Sequence, residues 1–264
     1  MRLDAYLFSI KKFSSRTKSA EAIEKGFVCV NGKTVLKPSQ NVSDNDVITV
    51  CESNEFVSNG GYKLEKALSD FCVDVNGLVF ADVGASTGGF SDCLLRRGAK
   101  KVFAIDVGES QLSDKLKSDD RVVVIDNFNA RNLTANVIGE FVDGVTCDVS
   151  FISLTYVLKP ICDVLKDDGF AVVLLKPQFE CGKKELNKNG IVTSLKARLE
   201  SALKIKSFAV SIGLTPVKFT FAPIKPGKNA EYLFLLTKRK AEAITDKEIS
   251  DVIMKNAAIR HISF

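Results

Sequence analysis

The stretch Leu78-Val79-Phe80-Ala81-Asp82-Val83-Gly84-Ala85-Ser86-Thr87-Gly88-Gly89-Phe90 decides how this chain folds. Residues 78–83 are an apolar run of strand length, broken only by Asp82. The small residues that follow let a backbone approach a ligand closely, and the helix expected over 91–97 offers free N–H groups at its start. A second strand, expected over 101–105, ends at Asp106, about 20 residues past the loop, where a carboxylate can accept both hydroxyls of a ribose. A dinucleotide fold would carry Gly-x-Gly-x-x-Gly, whereas Gly84, Gly88 and Gly89 are spaced differently. On spacing alone, NAD stays open as a ligand.

Working outward, further strands are expected over 122–125, 144–150, 170–175, 217–221 and 231–236, with helices over 91–97, 154–165 and 195–212. Strands separated by helices predict an α/β domain, a Rossmann-like parallel sheet with helices on both faces and right-handed crossovers. The last segment, 241–264, reads as a peripheral helix. Asp148 lies near the end of the strand over 144–150, and Lys176 follows directly on 170–175; strand ends are where ligands bind in open α/β sheets. Lys176 is therefore a candidate base. Lys63, after Gly60-Gly61, and Glu231, opening the last strand, read in isolation as surface charges.

The N-terminal residues have a different texture. Leu3, Tyr6, Leu7 and Ile10 form a helical stripe, and a second helix is expected after Ser14-Ser15, ending at Gly26. Short strands at 27–30 and 47–50 flank Asn31-Gly32, a strong hairpin turn signal. Residues 1–37 carry eight Lys/Arg against Asp4, Glu21 and Glu24, a surplus of five, while the whole chain carries only +5. The boundary is placed at residue 56, in a polar linker. A small basic α+β domain, 1–56, thus precedes the sheet domain, 57–264.

Composition removes several chemistries. In 264 residues, 45% hydrophobic and 26% charged, the longest apolar run is 170–175, against the ~20 residues a spanning helix needs. No signal peptide is apparent, which fits a cytoplasmic protein. The seven cysteines are spaced 15 residues or more apart, without a CxxC pair, and His261 is the single histidine. Metal binding and Ser-His or Cys-His catalysis are not expected.

The order Ser15-Arg16, Ala20, Ile23, Gly26, Val28, Val30-Asn31-Gly32, Pro38-Ser39, Val42, Asp46 and Ile48 resembles the alpha-L RNA-binding module of a small ribosomal subunit protein and many pseudouridine synthases. Gly60-Gly61-x-Lys63-Leu64, the loop from Asp82 to Phe90 and Lys176-Pro177-Gln178-Phe179-Glu180 resemble the FtsJ-like ribose methyltransferases. Together they are similar to the TlyA family, the haemolysin A-type rRNA 2′-O-methyltransferases, over essentially the whole chain. The chain departs from that family in its linker, Asn54-Glu55-Phe56-Val57, and in Asn59, where an arginine is usual.

The resemblance implies S-adenosylmethionine as cofactor and a catalytic tetrad of Lys63, Asp148, Lys176 and Glu231, with Lys176 as the base. It implies cofactor contacts by Asp82, Gly84, Ala85, Ser86, Thr87, Gly88, Gly89, Phe90, Asp106, Asp126 and Asp148. Arg2, Lys11, Lys12, Arg16, Lys18 and Lys25, with Lys183 and Lys184 near the site, are the expected RNA contacts. The implied substrate is cytidine in ribosomal RNA within ribosomal subunits; the short N-terminal end resembles large-subunit-specific members. A non-catalytic RNA-binding protein and a membrane-active haemolysin are the alternatives.

Overall fold

The computed structural model describes residues 1–13, 15–24, 26–43, 45–50, 55–223 and 227–262. The chain divides into two compact units, Met1–Glu55 and Phe56–Phe264.

In the first unit, helices α1 (Leu3–Ser9) and α2 (Arg16–Glu24) precede strands β1 (Val28–Val30), β2 (Lys33–Thr34) and β3 (Ile48–Val50), an antiparallel sheet in the order β2-β1-β3. Asn31 and Gly32 make the turn between β1 and β2 with φ of 52° and 77°, the left-handed values a tight hairpin needs. The Asn31 side chain then fixes the approach to β3, donating to Asp46 and accepting from the Val47 N–H. Leu3 and Leu7 from α1 and Ile23 from α2 bury themselves against Val28, Val30, Val35 and Val42. Spacing along the helices thus predicts Leu3, Leu7 and Ile23, whereas Ile10 lies past the end of α1 and is exposed.

The second unit begins with α3 (Asn59–Phe71) and continues as β4 (Val79–Val83), α4 (Gly89–Arg96), β5 (Lys101–Ile105), α5 (Asp114–Lys117), β6 (Val122–Ile125), α6 (Ala135–Ile138), β7 (Val142–Cys147), α7 (Leu158–Val164), β8 (Leu165–Leu175), α8 (Leu195–Ser211), β9 (Thr215–Phe221), β10 (Tyr232–Thr237) and α9 (Asp246–Ile262). The strands form one sheet in the order β6-β5-β4-β7-β8-β10-β9. Neighbours among β4 to β8 are parallel, whereas β10 runs antiparallel to both β8 and β9. The sheet is thus mixed, not parallel throughout. Among the described residues no helix separates β9 from β10, and without a crossover a strand can only return antiparallel.

Side-chain alternation along the strands builds two cores. Ala81, Val83, Val145, Val173, Tyr232 and Phe234 face one way, meeting Ile161 of α7, Ala202 and Ile205 of α8, and Ile249 of α9. Phe80, Val102, Val172, Leu174 and Leu233 face the other, under Leu64 and Leu68 of α3 and Phe90 and Leu94 of α4. Helices on both faces leave only the strand ends free to line a site.

Several elements depart from the sequence expectation: the short helices α5 and α6 were not expected, and β7 ends at Cys147, before the end of the strand expected over 144–150. Helix α3 was not expected, because Gly60-Gly61 near its start conceals it. Ser58 caps the helix by accepting from the Gly60 N–H, and a Cβ on Gly61 would lie 2.2 Å from the Phe56 ring. Packing, not turn formation, requires that glycine. The helix expected over 154–165 is instead a 3-10 turn, Leu154–Tyr156, followed by α7, with β8 starting directly afterwards and running longer than 170–175.

Candidate active site

Four charged side chains converge where α3, β7, β8 and β10 meet. Asp148 follows the last residue of β7, Lys176 the last of β8, and Glu231 precedes the first of β10. Because β10 is antiparallel, its start lies at the same sheet edge as the ends of β7 and β8. Lys63 comes down from the first turn of α3.

Lys63 Nζ lies 2.8 Å from Glu231 Oε2 and 3.6 Å from Asp148 Oδ2, and Lys176 Nζ lies 2.6 Å from Asp148 Oδ1. All four side chains are largely buried, Lys176 most of all at 10% exposure. Two lysines therefore face two carboxylates in a partly desolvated cleft, where charge pairing is strong. Burial works against the charge of Lys63, but Asp148 and Glu231 outweigh it and hold its pKa above the ordinary lysine value. Lys176 also donates to Ser150 Oγ at 2.6 Å. Its contact with Asp148 Oδ1 lacks hydrogen-bond alignment, and that buried oxygen has no bonded partner.

Beside this cluster, the loop from Val83 into α4 forms a cleft with Ser58, Gly60, Asp148, Ser150 and Lys176 on its walls. Gly84 has φ +80°, and a Cβ there would lie 2.8 Å from the Asp148 carbonyl oxygen; Gly88 has φ +94°, and a Cβ on Gly89 would lie 2.2 Å from Ser58 Oγ. Ala85, Ser86, Thr87 and Phe90 complete the loop. Asp106 anchors it, accepting from the Ser86 N–H and the Gly108 N–H, each at 2.8 Å. Asp126 accepts from the Ser110 N–H on the next loop along the edge.

Asp82 stands apart. Its side chain is fully buried and receives Ser91 Oγ at 2.7 Å and Thr146 Oγ1 at 2.9 Å, so it ties β4, α4 and β7 together behind the cleft. Burial pushes its pKa up to about 6 against those hydrogen bonds, and the charge of Asp148 adds to the rise. It cannot touch a ligand in the cleft; it holds the loop that does.

The expected RNA contacts are spread over both units. In the first, Lys11, Lys12 and Lys18 are exposed. Arg2 and Arg16 share the buried carboxylate of Asp4, at 2.8 Å and 3.2 Å, while remaining about half-exposed. The Arg2 hydrogen bond, followed by that of Arg16, overcomes burial and lowers the Asp4 pKa to about 2. Lys25 lies outside the described residues. In the second unit, Lys183 and Lys184 lie on an exposed 3-10 turn.

Sequence reasoning missed Ser150 and Ser58. Neither carries a periodic or spacing signal; each becomes visible only when a neighbouring strand end or helix start is brought beside it.

Residues 56–239 match the FtsJ-like methyltransferase family and residues 1–48 the S4 domain. Over 235 residues the chain is 41% identical to Hemolysin A of Brachyspira hyodysenteriae, covering 88% of this chain and 98% of that protein. Over 255 residues it is 40% identical to the 16S/23S rRNA (cytidine-2'-O)-methyltransferase TlyA of Mycobacterium tuberculosis, covering 96% of this chain and 95% of that one. A solved structure of a Streptococcus thermophilus protein superposes with a TM-score of 0.75 at 33% identity, covering 100% of this chain and 97% of that chain.

Proposed function

The chain belongs to the FtsJ-like methyltransferase family, among the S4-bearing members named TlyA or hemolysin A, and from that premise we propose that it methylates the ribose 2′-hydroxyl of a cytidine in ribosomal RNA. The observation that carries this reading is the Lys63–Asp148–Lys176–Glu231 cluster beside the glycine-lined cleft.

The cleft fits S-adenosylmethionine. Side chains are excluded at Gly84 and Gly89, and Asp106 stands at the neighbouring strand end. Residues 84–90, Asp106, Asp126 and Asp148 would hold the cofactor. When bound, it supplies a methyl group already activated on a positively charged sulfur. The protein's task is then alignment and removal of one proton.

The neutral amine of Lys176 takes that proton at Nζ, held toward the substrate oxygen by Ser150 and Asp148, and becomes the ammonium partner of Asp148. Lys63 is fixed as a cation by two carboxylates, so it serves as a positioning charge and not as the base. Glu231 holds Lys63, and both border the ribose. Positioned proton transfer of this kind contributes about 10²–10⁴ in rate. Phosphate contacts come from the exposed lysines of the N-terminal domain, whose boundary the chain division sets at Glu55, with Lys183 and Lys184 on the catalytic domain. The 2′-hydroxyl itself distinguishes RNA from DNA. Ribosomal subunits in the cytoplasm are the proposed substrate.

The test uses purified ribosomal subunits and labelled S-adenosylmethionine, with the modified nucleotide mapped afterwards. Wild-type protein is expected to yield a 2′-O-methylcytidine in ribosomal RNA of one or both subunits. Lys176→Ala should abolish transfer while still binding the cofactor. An inactive wild type, or near-normal transfer by Lys176→Ala, overturns the reading.

A further inference from the structure

Asp148 and Lys176 stand on two loops that leave neighbouring strands, and their separation must be set by something beyond the sheet. The last rung of the β7–β8 ladder pairs Cys147 with Val173. Past it, Lys176 reaches Ser150 and Glu180 reaches Leu154, keeping the same offset of 26 residues. The parallel register of the two strands thus continues through two side-chain rungs after the backbone has stopped pairing.

The outer rung is the more elaborate. The Glu180 side chain is 1% exposed and accepts from the Leu154 N–H at 2.7 Å, Ser153 Oγ at 2.6 Å and Lys204 Nζ of α8 at 3.0 Å. Leu154 and Ser153 begin the 3-10 turn that closes the loop from Asp148, and Glu180 ends the turn, Pro177–Phe179, that closes the loop from Lys176. Phe151, held at φ +63°, lies against Phe179 between the rungs, ring centroids 5.2 Å apart. A buried carboxylate with three donors, two from the Asp148 loop and one from α8, is over-determined.

We propose that Glu180 is a positioning residue for the methyl transfer: it clamps the Asp148 and Lys176 loops in register and so fixes the base against its partners. The inference rests on the assignment of Lys176 as base. Misplacement by about 1 Å costs on the order of 10²-fold in such reactions.

The test measures kcat and KM for RNA and cofactor in Glu180→Ala, Glu180→Gln and Ser153→Ala, well below the melting temperature of each. Glu180→Ala is expected to lower kcat on the order of 10²-fold. Glu180→Gln, which keeps one accepting oxygen for Leu154, should lose about tenfold, and each KM should stay within about threefold. A residue that only stabilises the fold would lower the melting temperature and leave kcat alone. Should Glu180→Ala not fold, Glu180→Gln and Ser153→Ala decide. If both retain kcat within about twofold of wild type, the proposal is wrong. Backbone amide exchange provides a second readout: residues 176–181 should exchange at least tenfold faster in Ser153→Ala, although the substitution lies on the other loop. Unchanged exchange there overturns the clamp even if the wild type proves inactive on ribosomal RNA, an outcome that would overturn the assigned function instead.

Discussion

Replacing Asp82 by Asn should make the protein's stability markedly less sensitive to pH between about 4 and 6. Asp82 is fully buried, and its pKa rises from 3.8 to about 6 in the folded chain. The folded state therefore keeps this proton at a pH where the unfolded chain has lost it. Stability from this group is greatest below the unfolded pKa and falls as pH climbs through the folded one. A gap of about two units corresponds to ~3 kcal/mol. Asparagine keeps the shape, accepts from Thr146 or Ser91 through its oxygen, and lets the other hydroxyl turn to accept from its amide. It does not titrate. The assay is urea unfolding of wild type and Asp82→Asn at several pH values from 4 to 7, followed by circular dichroism. The stability of the variant relative to wild type should increase by about 3 kcal/mol across that range and then level off above the folded pKa. A difference that stays flat, or slopes the other way, refutes the argument, since all other titrating groups are common to both proteins.

Gly84→Ala should reduce S-adenosylmethionine affinity at least tenfold by calorimetry, because φ is +80° and the new Cβ would lie 2.8 Å from a backbone oxygen that cannot swing away. Asp4→Asn should destabilise the first unit by about 1–2 kcal/mol at neutral pH, discounted for the half-exposed arginines, with faster amide exchange across α1. Because the Asp4 pKa is lowered to about 2, that stabilisation is present above the unfolded value of 3.8 and disappears as pH falls through about 2. Lys63→Met should lower kcat at least tenfold and leave RNA affinity nearly unchanged, as measured by separate turnover and binding assays. Alanine at Lys11, Lys12 and Lys18 together should do the reverse, flattening the slope of log affinity for RNA against log salt by about 2–3.

The sequence made much of the sheet unit legible because β5, β6, β10 and the second half of β8 stand out as apolar runs. Asp148 and Lys176 could be read as strand-end residues for the same reason. Lys63 and Glu231 could not be read this way. A lysine on a helix disguised by two glycines, and a glutamate before a strand, look like any surface charge until the fold closes their 2.8 Å gap. Local pattern also failed for the direction of β10, because direction depends on whether a connection can cross the sheet and not on the strand itself. Asp82 was misread for a related reason: it lies within the loop motif, yet strand alternation turns it into the interior. Ser150 and the Glu180 contacts had no signal, since they arise between loops whose spacing only the assembled sheet determines.

The antiparallel placement of β10 has a consequence for the order of events on a growing chain. Lys63, Asp148 and Lys176 are all synthesised before the segment that carries Glu231 exists. Until the β9–β10 hairpin adds itself to the edge of β8, Lys63 lacks its nearest carboxylate. Contacts of such long sequence separation are among the last to form. The site is therefore incomplete in any form that lacks or has not yet docked β10, and an edge hairpin that frays would disarm the catalyst before the rest of the sheet had loosened.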